Sequence, residues 1–313
     1  MRAATITDKQ LTVEEHPDPV PTEGEVLVKV HAAGLNGADM HQLAGIYPAP
    51  PGSPQDIPGL ELAGEVVARG PDAERFDVGD RVMSIVGGGG QAELMTVHER
   101  ILMPIPENLS WTEAGGLPEV FTTAHDAVFT QAGLLMGERL LVHGAAGGVG
   151  CAAVQLGRAA GARVTATVRN PDLRDAVCAF GAEVHAPDDF RDQGPYDVIL
   201  ELVGAVNLMD NLKALDTNGR IAVIGTGAGA TGEINLGLVM MKRARIYGST
   251  LRARPLELKA LTARAMERSV LPLLASGAVK VPIAKTYPLA EAPAAYEHFK
   301  AGGKLGKIVL LMD

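Results

Sequence analysis

The chain has 313 residues, of which 47% are hydrophobic and 21% charged, a globular composition long enough for two domains. Its net charge is −9 without a Lys/Arg block, so neither nucleic acid nor an anionic membrane is an expected partner. Because no long apolar run occurs at the N-terminus or elsewhere, we expect a soluble cytoplasmic protein without signal peptide or membrane span. Cys151 and Cys178 lie in apolar helical patterns, which predicts two buried thiols rather than a disulfide.

Residues 1–104 contain short strand candidates separated by turns rich in Gly, Pro and Asp. They are RAATIT, LTVEEHP, EVLVKVHAAG, LAGEVVARG, DRVMSIVG and QAELMTVHE. In the third of these, Val26, Val28 and Val30 fall on one side of the strand, which predicts one buried face and one wet face. The pattern indicates an antiparallel sheet or barrel.

Residues 35–47, LNGADMHQLAGIY, carry four polar side chains among glycines, alanines and aliphatic residues, which indicates a site. The four are Asn36, Asp39, His41 and Tyr47. Asp39 and His41 could ligate a metal, act as an acid–base pair or fix a loop, and the stretch alone leaves these alternatives open. An imidazole such as His41 can act as a general acid, but a lone loop histidine is more often a structural hydrogen-bonder.

After a predicted helix over residues 119–134, strands and helices alternate strictly. The strands are LLVHG, RVTATV, AEVH, DVILELVG, GRIAVIG and RARIYGSTL. Continuous aliphatic strands that alternate with amphipathic helices predict a parallel sheet covered on both faces. Because such crossovers are right-handed, the expected fold is doubly wound.

The segment HGAAGGVG, residues 143–150, follows a strand directly and opens an apolar helix. Glycines there would permit a tight exit from the strand and a close approach of backbone N–H groups to a pyrophosphate at the helix N-terminus. The alternative is a helix-start turn that needs positive φ. In this strand–turn–helix context we favour dinucleotide binding. The predicted cofactor-binding residues of the loop are Gly144, Ala146, Gly147, Gly148 and Val149.

The second strand of this series ends in Thr167, Val168, Arg169 and Asn170. An NAD-binding fold usually places an acidic residue there to accept from the ribose hydroxyls, and Asp172 comes too late. Arg169 would suit a 2′-phosphate, so NADPH is the expected cofactor, and a solvated surface arginine is the alternative.

Three further cofactor candidates come later in the chain. Gly225 and Thr226 follow strand IAVIG and should lie at the carboxyl edge of the sheet, where dinucleotides bind. Arg252, in STLRARP, is either a cofactor contact or part of a solvated basic turn.

The tail returns to another pattern. Residues 255–277 and 285–303 are predicted helices, and KIVLL is a final strand. The small β-domain is therefore expected to draw on both chain ends, with the parallel domain inserted. The predicted limits are 1–118, 119–254 and 255–313.

These motifs, in this order, resemble the medium-chain dehydrogenase/reductase superfamily over essentially the whole chain. The segments that carry the resemblance are GEVLVKVHAAGLNGADMHQLAGIYP, IPGLELAGEVVARG, VGDRV, TAHDAV, HGAAGGVG and GKIVLL. Within the superfamily the chain resembles the zinc-free quinone oxidoreductase branch related to zeta-crystallin. The resemblance implies a Rossmann-type domain and a GroES-like β-barrel catalytic domain built from both chain ends.

The departures from the alcohol dehydrogenase branch bear on the metal. That branch carries Cys at the position of Asn36 and a His–Glu pair at Leu60 and Glu61. Leucine cannot bind zinc, and a catalytic zinc needs about three protein ligands. Asp39 and His41 would be left to hold the ion almost alone, so no metal is expected.

Without a Lewis acid, oxidation of an alcohol loses the group that stabilises the alkoxide. The expected substrate is therefore an electrophile that can accept hydride directly, such as a quinone or an activated C=C. The resemblance carries over Asn36, Asp39 and Tyr47 at matching positions and Thr123 as a nicotinamide-positioning residue. Tyr47 or Asn36 is expected to hydrogen-bond the acceptor oxygen, and Asp39 to brace the segment. His41 stands where some relatives have Tyr, which leaves the proton donor open.

Residues 243–251 are predicted to form an exposed edge strand, and relatives commonly dimerise through this edge. We therefore expect a homodimer. Two alternatives to a quinone or enone oxidoreductase stay open. One is an enoyl-thioester or alkenal reductase, and the other is a non-catalytic NADPH-binding structural or regulatory protein.

Overall fold

A computed structural model describes residues 1–312 of the chain. These residues form two compact units. Unit 1 consists of Met1–Thr122, Leu251–Gly303 and the segment from Lys307 onwards, and unit 2 consists of Thr123–Thr250 and Lys304–Gly306. Among the described residues, no helix is long and apolar enough to cross a membrane.

The strands are numbered in chain order. They are β1 (Arg2–Thr7), β2 (Gln10–Glu15), β3 (Glu25–Gly34), β4 (Glu61–Arg69), β5 (Arg81–Ile85), β6 (Leu94–His98), β7 (Met103–Pro104), β8 (Arg139–Val142), β9 (Arg163–Thr167), β10 (Glu183–His185), β11 (Tyr196–Glu201), β12 (Leu215–Val223), β13 (Arg245–Gly248), β14 (Ile283–Pro288) and β15 (Lys307–Leu311).

The α-helices are α1 (Gly37–Leu43), α2 (Trp111–Gly115), α3 (Pro118–His125), α4 (Gly148–Ala159), α5 (Arg174–Cys178), α6 (Leu208–Ala214), α7 (Leu236–Lys242), α8 (Leu256–Ser269), α9 (Leu271–Ala275) and α10 (Ala292–Ala301). Helix α3 continues as a π-helical stretch over Asp126–Gln131.

Unit 1 contains a β1–β2 hairpin and a seven-stranded sheet in the order β14-β15-β3-β4-β5-β7, with β6 also paired to β3. Apart from the parallel pair β14–β15, the strands run antiparallel. Val26, Val28 and Val30 of β3 are at most 1% exposed, which matches the alternation along that strand. Strand β15 lies between β14 and β3, so residues from both chain ends share one sheet and the predicted architecture is confirmed.

Unit 2 contains a six-stranded sheet in the order β10-β9-β8-β11-β12-β13. Every neighbouring pair in it is parallel. The aliphatic residues of β8 and β11 are fully buried because helices cover both faces of such a sheet. The prediction of a doubly wound parallel fold is confirmed.

Two expectations about local structure are wrong. Residues 285–288 belong to strand β14 instead of a helix, because they pair with β15 in the register Tyr287↔Leu310. Cys151 is buried as expected, but Cys178 is exposed because it ends the short surface helix α5. Both are free thiols.

Candidate active site and cofactor site

Asp39 is completely buried in the first turn of α1. Its Oδ2 accepts a hydrogen bond of 2.8 Å from the N–H of Asn36, and its Oδ1 accepts one of 3.2 Å from the N–H of Gly59. Burial raises the pKa of Asp39 to about 7, and the two backbone hydrogen bonds and the charge of Lys307 only partly offset this. The carboxyl group therefore ties the start of α1 to the segment before β4.

The side chain of Asn36 lies in a buried polar cluster with Glu61 and Lys307. Its Nδ2 donates to Oε1 of Glu61 at 2.9 Å and to the carbonyl of Gly34 at 3.3 Å. Its Oδ1 accepts from Nζ of Lys307 at 2.7 Å. Both N–H donors of the Asn36 amide are thus engaged inside unit 1, and its oxygen accepts from the ammonium.

Lys307, the first residue of β15, supplies the positive charge of this cluster. Its Nζ lies 2.6 Å from Oε1 of Glu61 and donates to the carbonyl of Leu35 at 2.7 Å, in addition to Asn36. The other carboxylate oxygen of Glu61 accepts from the N–H of Glu119 at 2.8 Å. The three N–H groups of the ammonium each have an acceptor, which a buried ion pair requires. We define these three side chains, Asn36, Glu61 and Lys307, as the buried ammonium cluster.

His41 and Tyr47 lie on the same segment but in different surroundings. His41 is exposed, and its side chain makes no hydrogen bond or ion pair with any residue in 1–312. Its carbonyl accepts from the N–H groups of Ile46 and Tyr47. Since Asp39 is bonded only to backbone N–H groups, Asp39 and His41 do not form a hydrogen-bonded acid–base pair. Tyr47 is half-buried.

Arg252 is only 3% exposed and holds the segment that carries Tyr47. Its Nε donates to the carbonyl of Gly87 at 2.7 Å, and its Nη1 donates to the carbonyls of Tyr47 at 3.0 Å and Pro48 at 3.3 Å. Its Nη2 donates to Oε1 of Gln42. The guanidinium carbon also lies 5.0 Å from the centre of the Tyr47 ring. Four of its donors are thus used within unit 1, and its burial argues against the solvated turn that was one of the two alternatives for Arg252.

The glycine loop of unit 2 joins β8 to α4. Gly144 has a φ of +62°, which glycine adopts without strain at the exit from the strand. A Cβ at Gly150 would lie 2.5 Å from Cα of Ala145, so only glycine permits this close approach of helix and loop. Gly147 precedes α4 in an extended conformation with no side-chain cap. The first N–H groups of a helix lack intrahelical acceptors, so this N-terminus is suited to bind phosphate.

The other predicted residues of the glycine loop are at least partly accessible to solvent. Gly147 is exposed, and Ala146, Gly148 and Val149 are partly exposed. The carbonyl of Ala146 accepts from the N–H of Gly306 at 2.9 Å, and this hydrogen bond holds the loop against the segment before β15.

The cofactor candidates at the end of β9 differ in how deeply they are buried. Thr167 is 3% exposed, and its Oγ1 lies 3.0 Å from Nδ1 of His143. Arg169 is exposed and has no hydrogen bond or ion pair with the residues described. Asn170 is half-buried, and its Oδ1 accepts from the N–H of Asp172 at 3.1 Å. Arg169 is therefore the residue at this tip whose charge is available to a ligand.

A buried polar network that was not predicted from the sequence begins at His143, the residue before Gly144. Glu201, at the end of β11, accepts from the N–H groups of Val203 and Gly204 at 2.6 and 2.9 Å. It also accepts from Nδ2 of Asn211 at 2.8 Å, and Oδ1 of Asn211 lies 2.8 Å from Nε2 of His143. Burial lowers the pKa of His143, which favours its neutral form. Polar residues at the ends of apolar strands were the available signal.

The last predicted cofactor residues lie at or near helix and strand ends of unit 2. Gly225 and Thr226 follow β12, and a Cβ at Gly225 would lie 2.3 Å from the carbonyl oxygen of Leu202. Thr226 is exposed. Thr123, in α3, is 7% exposed. Within residues 1–312, no group of three His, Cys, Asp or Glu side chains could hold a metal ion.

The chain is similar to known dehydrogenases and quinone oxidoreductases over most of its length. The family described as alcohol dehydrogenase GroES-like domain matches residues 22–107, and the one described as zinc-binding dehydrogenase matches residues 182–310. The quinone oxidoreductase of Homo sapiens is 33% identical over 306 residues, which cover 94% of this chain and 91% of that protein.

Two solved structures are also similar. An alcohol dehydrogenase superfamily protein from Novosphingobium aromaticivorans has a TM-score of 0.88 at 28% identity, with 100% of both chains covered. A mycobacterial protein solved in complex with NADPH has a TM-score of 0.87 at 26% identity, over 99% of this chain and 100% of that one.

Proposed function

The chain belongs to the quinone oxidoreductases of the medium-chain dehydrogenase/reductase superfamily, and we propose that it transfers hydride from NADPH to a quinone or another activated C=C or C=O acceptor without zinc. Its similarity to the quinone oxidoreductase of Homo sapiens supports the acceptor class. The buried ammonium cluster is the observation that carries the proposal. Two of its members, Asn36 and Glu61, stand where the alcohol dehydrogenase branch has zinc ligands, and both contact the ammonium of Lys307.

The donor set at these positions fits no catalytic zinc. Leu60 offers no ligand atom, and the amide of Asn36 and the carboxylate of Glu61 are both engaged by the ammonium of Lys307. A zinc ion there would have to displace a buried ammonium. It would still have only two candidate ligands, Asn36 and Glu61, where about three protein ligands are needed. The proposed chemistry therefore uses an acceptor that is already electrophilic and requires no metal Lewis acid.

The residues of unit 2 fit NADPH. The uncapped N-terminus of α4 behind Gly147 would receive the pyrophosphate, and Arg169 would receive the 2′-phosphate. No acidic side chain at the tip of β9 would repel that phosphate. The mycobacterial structure solved with NADPH is consistent with this choice.

When bound, the nicotinamide supplies the hydride, and the protein contributes orientation, exclusion of water and hydrogen bonds to the acceptor. Thr123 is assigned to positioning the nicotinamide. Because both N–H donors of Asn36 are already engaged, Tyr47 is the assigned hydrogen-bond donor to the acceptor oxygen, where negative charge develops. Asp39 and Asn36 hold the segment on which Tyr47 lies, and His41 stays unassigned.

The proposal is tested by following NADPH oxidation with a panel of quinones, enones and enoyl thioesters, repeated with NADH and after treatment with a zinc chelator. We expect turnover with quinones or enones, a preference for NADPH and no effect of the chelator. Turnover with enoyl thioesters alone would favour the double-bond reductase. Loss of activity on chelation, restored by added zinc, would contradict the metal-free mechanism.

We also propose a homodimer that pairs the β13 strands of two copies. Strand β13 forms one edge of its sheet, and β12 is its only neighbour among the described strands. Leu236, Met240 and Met241 of the preceding helix α7 are 68–74% exposed, an apolar surface that a second copy would cover. Sedimentation should show a dimer at micromolar concentration, and a monomer at that concentration would refute the pairing.

A further inference from the structure

A half-open pocket lies wholly within unit 1, and none of the residues that line it is assigned to hydride transfer. It encloses about 320 Å³ of empty space, including its mouth. Its walls are largely apolar and come from β5, the segment through β7 and the chain that leads into α8. The wall residues are Ile85, Ile101, Met103 and Leu251.

Two polar side chains in this pocket lack partners. Thr122 is 2% exposed, and its Oγ1 makes no hydrogen bond with any residue in 1–312. A buried hydroxyl without a partner is costly, so such a group commonly marks a place where a ligand or ordered water binds. Lys259 on α8 is half-buried and forms neither a hydrogen bond nor an ion pair with the described residues.

The neighbouring charges leave Lys259 without compensation. Burial lowers the pKa of Lys259, and the positive charge of Arg252 lowers it further. The carboxylates of α8 are directed elsewhere, since Glu257 pairs with Arg100 and Glu267 pairs with Arg75 and Arg264, each at 2.6 Å. Arg254 also lines the pocket, and its Nη1 donates to Oγ1 of Thr262 at 3.2 Å.

We propose that this pocket binds a short-chain organic carboxylate. Its carboxylate would accept from the ammonium of Lys259 and the hydroxyl of Thr122, and its hydrocarbon part would contact Ile101, Met103 and Leu251. A carboxylate has two acceptor oxygens, which match one ammonium and one hydroxyl, and a hydrocarbon part that can contact the apolar walls, whereas a phosphate has no apolar part to place against them. The site goes beyond the proposed oxidoreductase function and does not depend on it.

The test uses the full chain and sodium butyrate as the probe. Binding is measured by calorimetry and by the rise in Tm at constant ionic strength, with butanol and inorganic phosphate as comparisons. We expect saturable binding of butyrate and none of butanol or phosphate. Lys259→Met should weaken butyrate about 10-fold or more, since a charge-assisted hydrogen bond is lost. Thr122→Val, which keeps the shape of the side chain, should weaken it by roughly 3-fold to 10-fold.

Arg268→Met is the matched control, because Arg268 is an exposed cation on the same helix and does not line the pocket. It should leave butyrate binding unchanged. The site is refuted if Lys259→Met and Thr122→Val both bind butyrate like the parent protein, or if Arg268→Met weakens binding equally. Phosphate binding in the absence of butyrate binding would overturn the ligand class. If one of the two pocket variants fails to fold, parent-like butyrate binding by the other is enough to refute the site.

Discussion

Nζ of Lys307 lies 2.6 Å from Oε1 of Glu61, and their side chains are only 3% and 0% exposed. The first residue of β15 thus neutralises the first residue of β4, and Asn36 completes the contact. A buried pair of this kind is worth little compared with an apolar substitute, but removal of one partner leaves an uncompensated charge in the core.

Lys307→Met should therefore destabilise unit 1 strongly, by about 3–5 kcal/mol. Urea unfolding monitored by circular dichroism measures this loss. The double variant Lys307→Met/Glu61→Gln removes both charges and should recover part of the stability. Lys285→Met is the control, because Lys285 is exposed on the neighbouring strand β14 and should cost less than about 1 kcal/mol. Equal effects at positions 285 and 307 would contradict the assigned role of the buried pair.

Replacement of Arg252 by Lys should disturb the acceptor side of the reaction. Lysine cannot reproduce the planar fork that reaches the carbonyls of Gly87, Tyr47 and Pro48. We expect KM for the quinone to rise about 10-fold, which corresponds to ~1.4 kcal/mol, while KM for NADPH stays unchanged. Arg268→Lys should change neither constant. A shift confined to KM for NADPH would instead support the cofactor contact that the sequence suggested.

Arg169→Gln should reduce the preference for NADPH over NADH. A hydrogen bond to a charged group contributes about 2 kcal/mol, so kcat/KM with NADPH should fall roughly 30-fold while the value with NADH stays constant. Steady-state kinetics with both cofactors provide the measurement. Arg163→Gln, at the opposite end of β9, is the matched control. Parallel losses with both cofactors would show that Arg169 does not recognise the 2′-phosphate.

Asp39 should make the stability of the protein depend on pH. Its pKa in the folded state is about 7, above the ordinary value of 3.8, because the carboxyl group is buried. The folded state therefore holds the proton more tightly, and this contribution to stability is lost as the pH rises from about 4 to 7. Between pH 5 and pH 7 the loss should be roughly 2–3 kcal/mol.

Asp39→Asn removes this titration, so its unfolding free energy should lack that part of the pH dependence. The substitution also brings an amide N–H towards backbone donors, so the variant is expected to be less stable at every pH. The pH slope is therefore the informative quantity, and identical slopes in both proteins would contradict a raised pKa.

The parts of the fold that the sequence predicts are those determined by local pattern. The aliphatic runs of β8 and β11 predict a parallel sheet because burial on both faces leaves no polar side. The glycine loop could be identified because the strand before it and the helix after it are adjacent in the chain. Its φ at Gly144 and the close approach at Gly150 follow from that local geometry.

The parts that escaped prediction depend on distant partners. Residues 285–288 form a strand only because β15 pairs with them. The amide of Asn36, expected to face an acceptor, is instead engaged by Lys307, which lies 271 residues later in the chain. A lysine at the start of the apolar strand KIVLL was the available signal, but the sequence does not reveal which carboxylate it meets. Arg252 is a similar case, since its acceptors are mainly backbone carbonyls that carry no sequence signature.

The position of β15 between β14 and β3 also has a consequence for biosynthesis. On the ribosome, β3 and β4 emerge long before β15, and until then Glu61 has no ammonium partner and the edge of β3 that pairs with β15 stays open. Unit 2, by contrast, has every strand of its sheet in the nascent chain once Gly248 has been made. We therefore expect unit 2 to fold first, and the early half of unit 1 to be the segment that chaperones protect during translation.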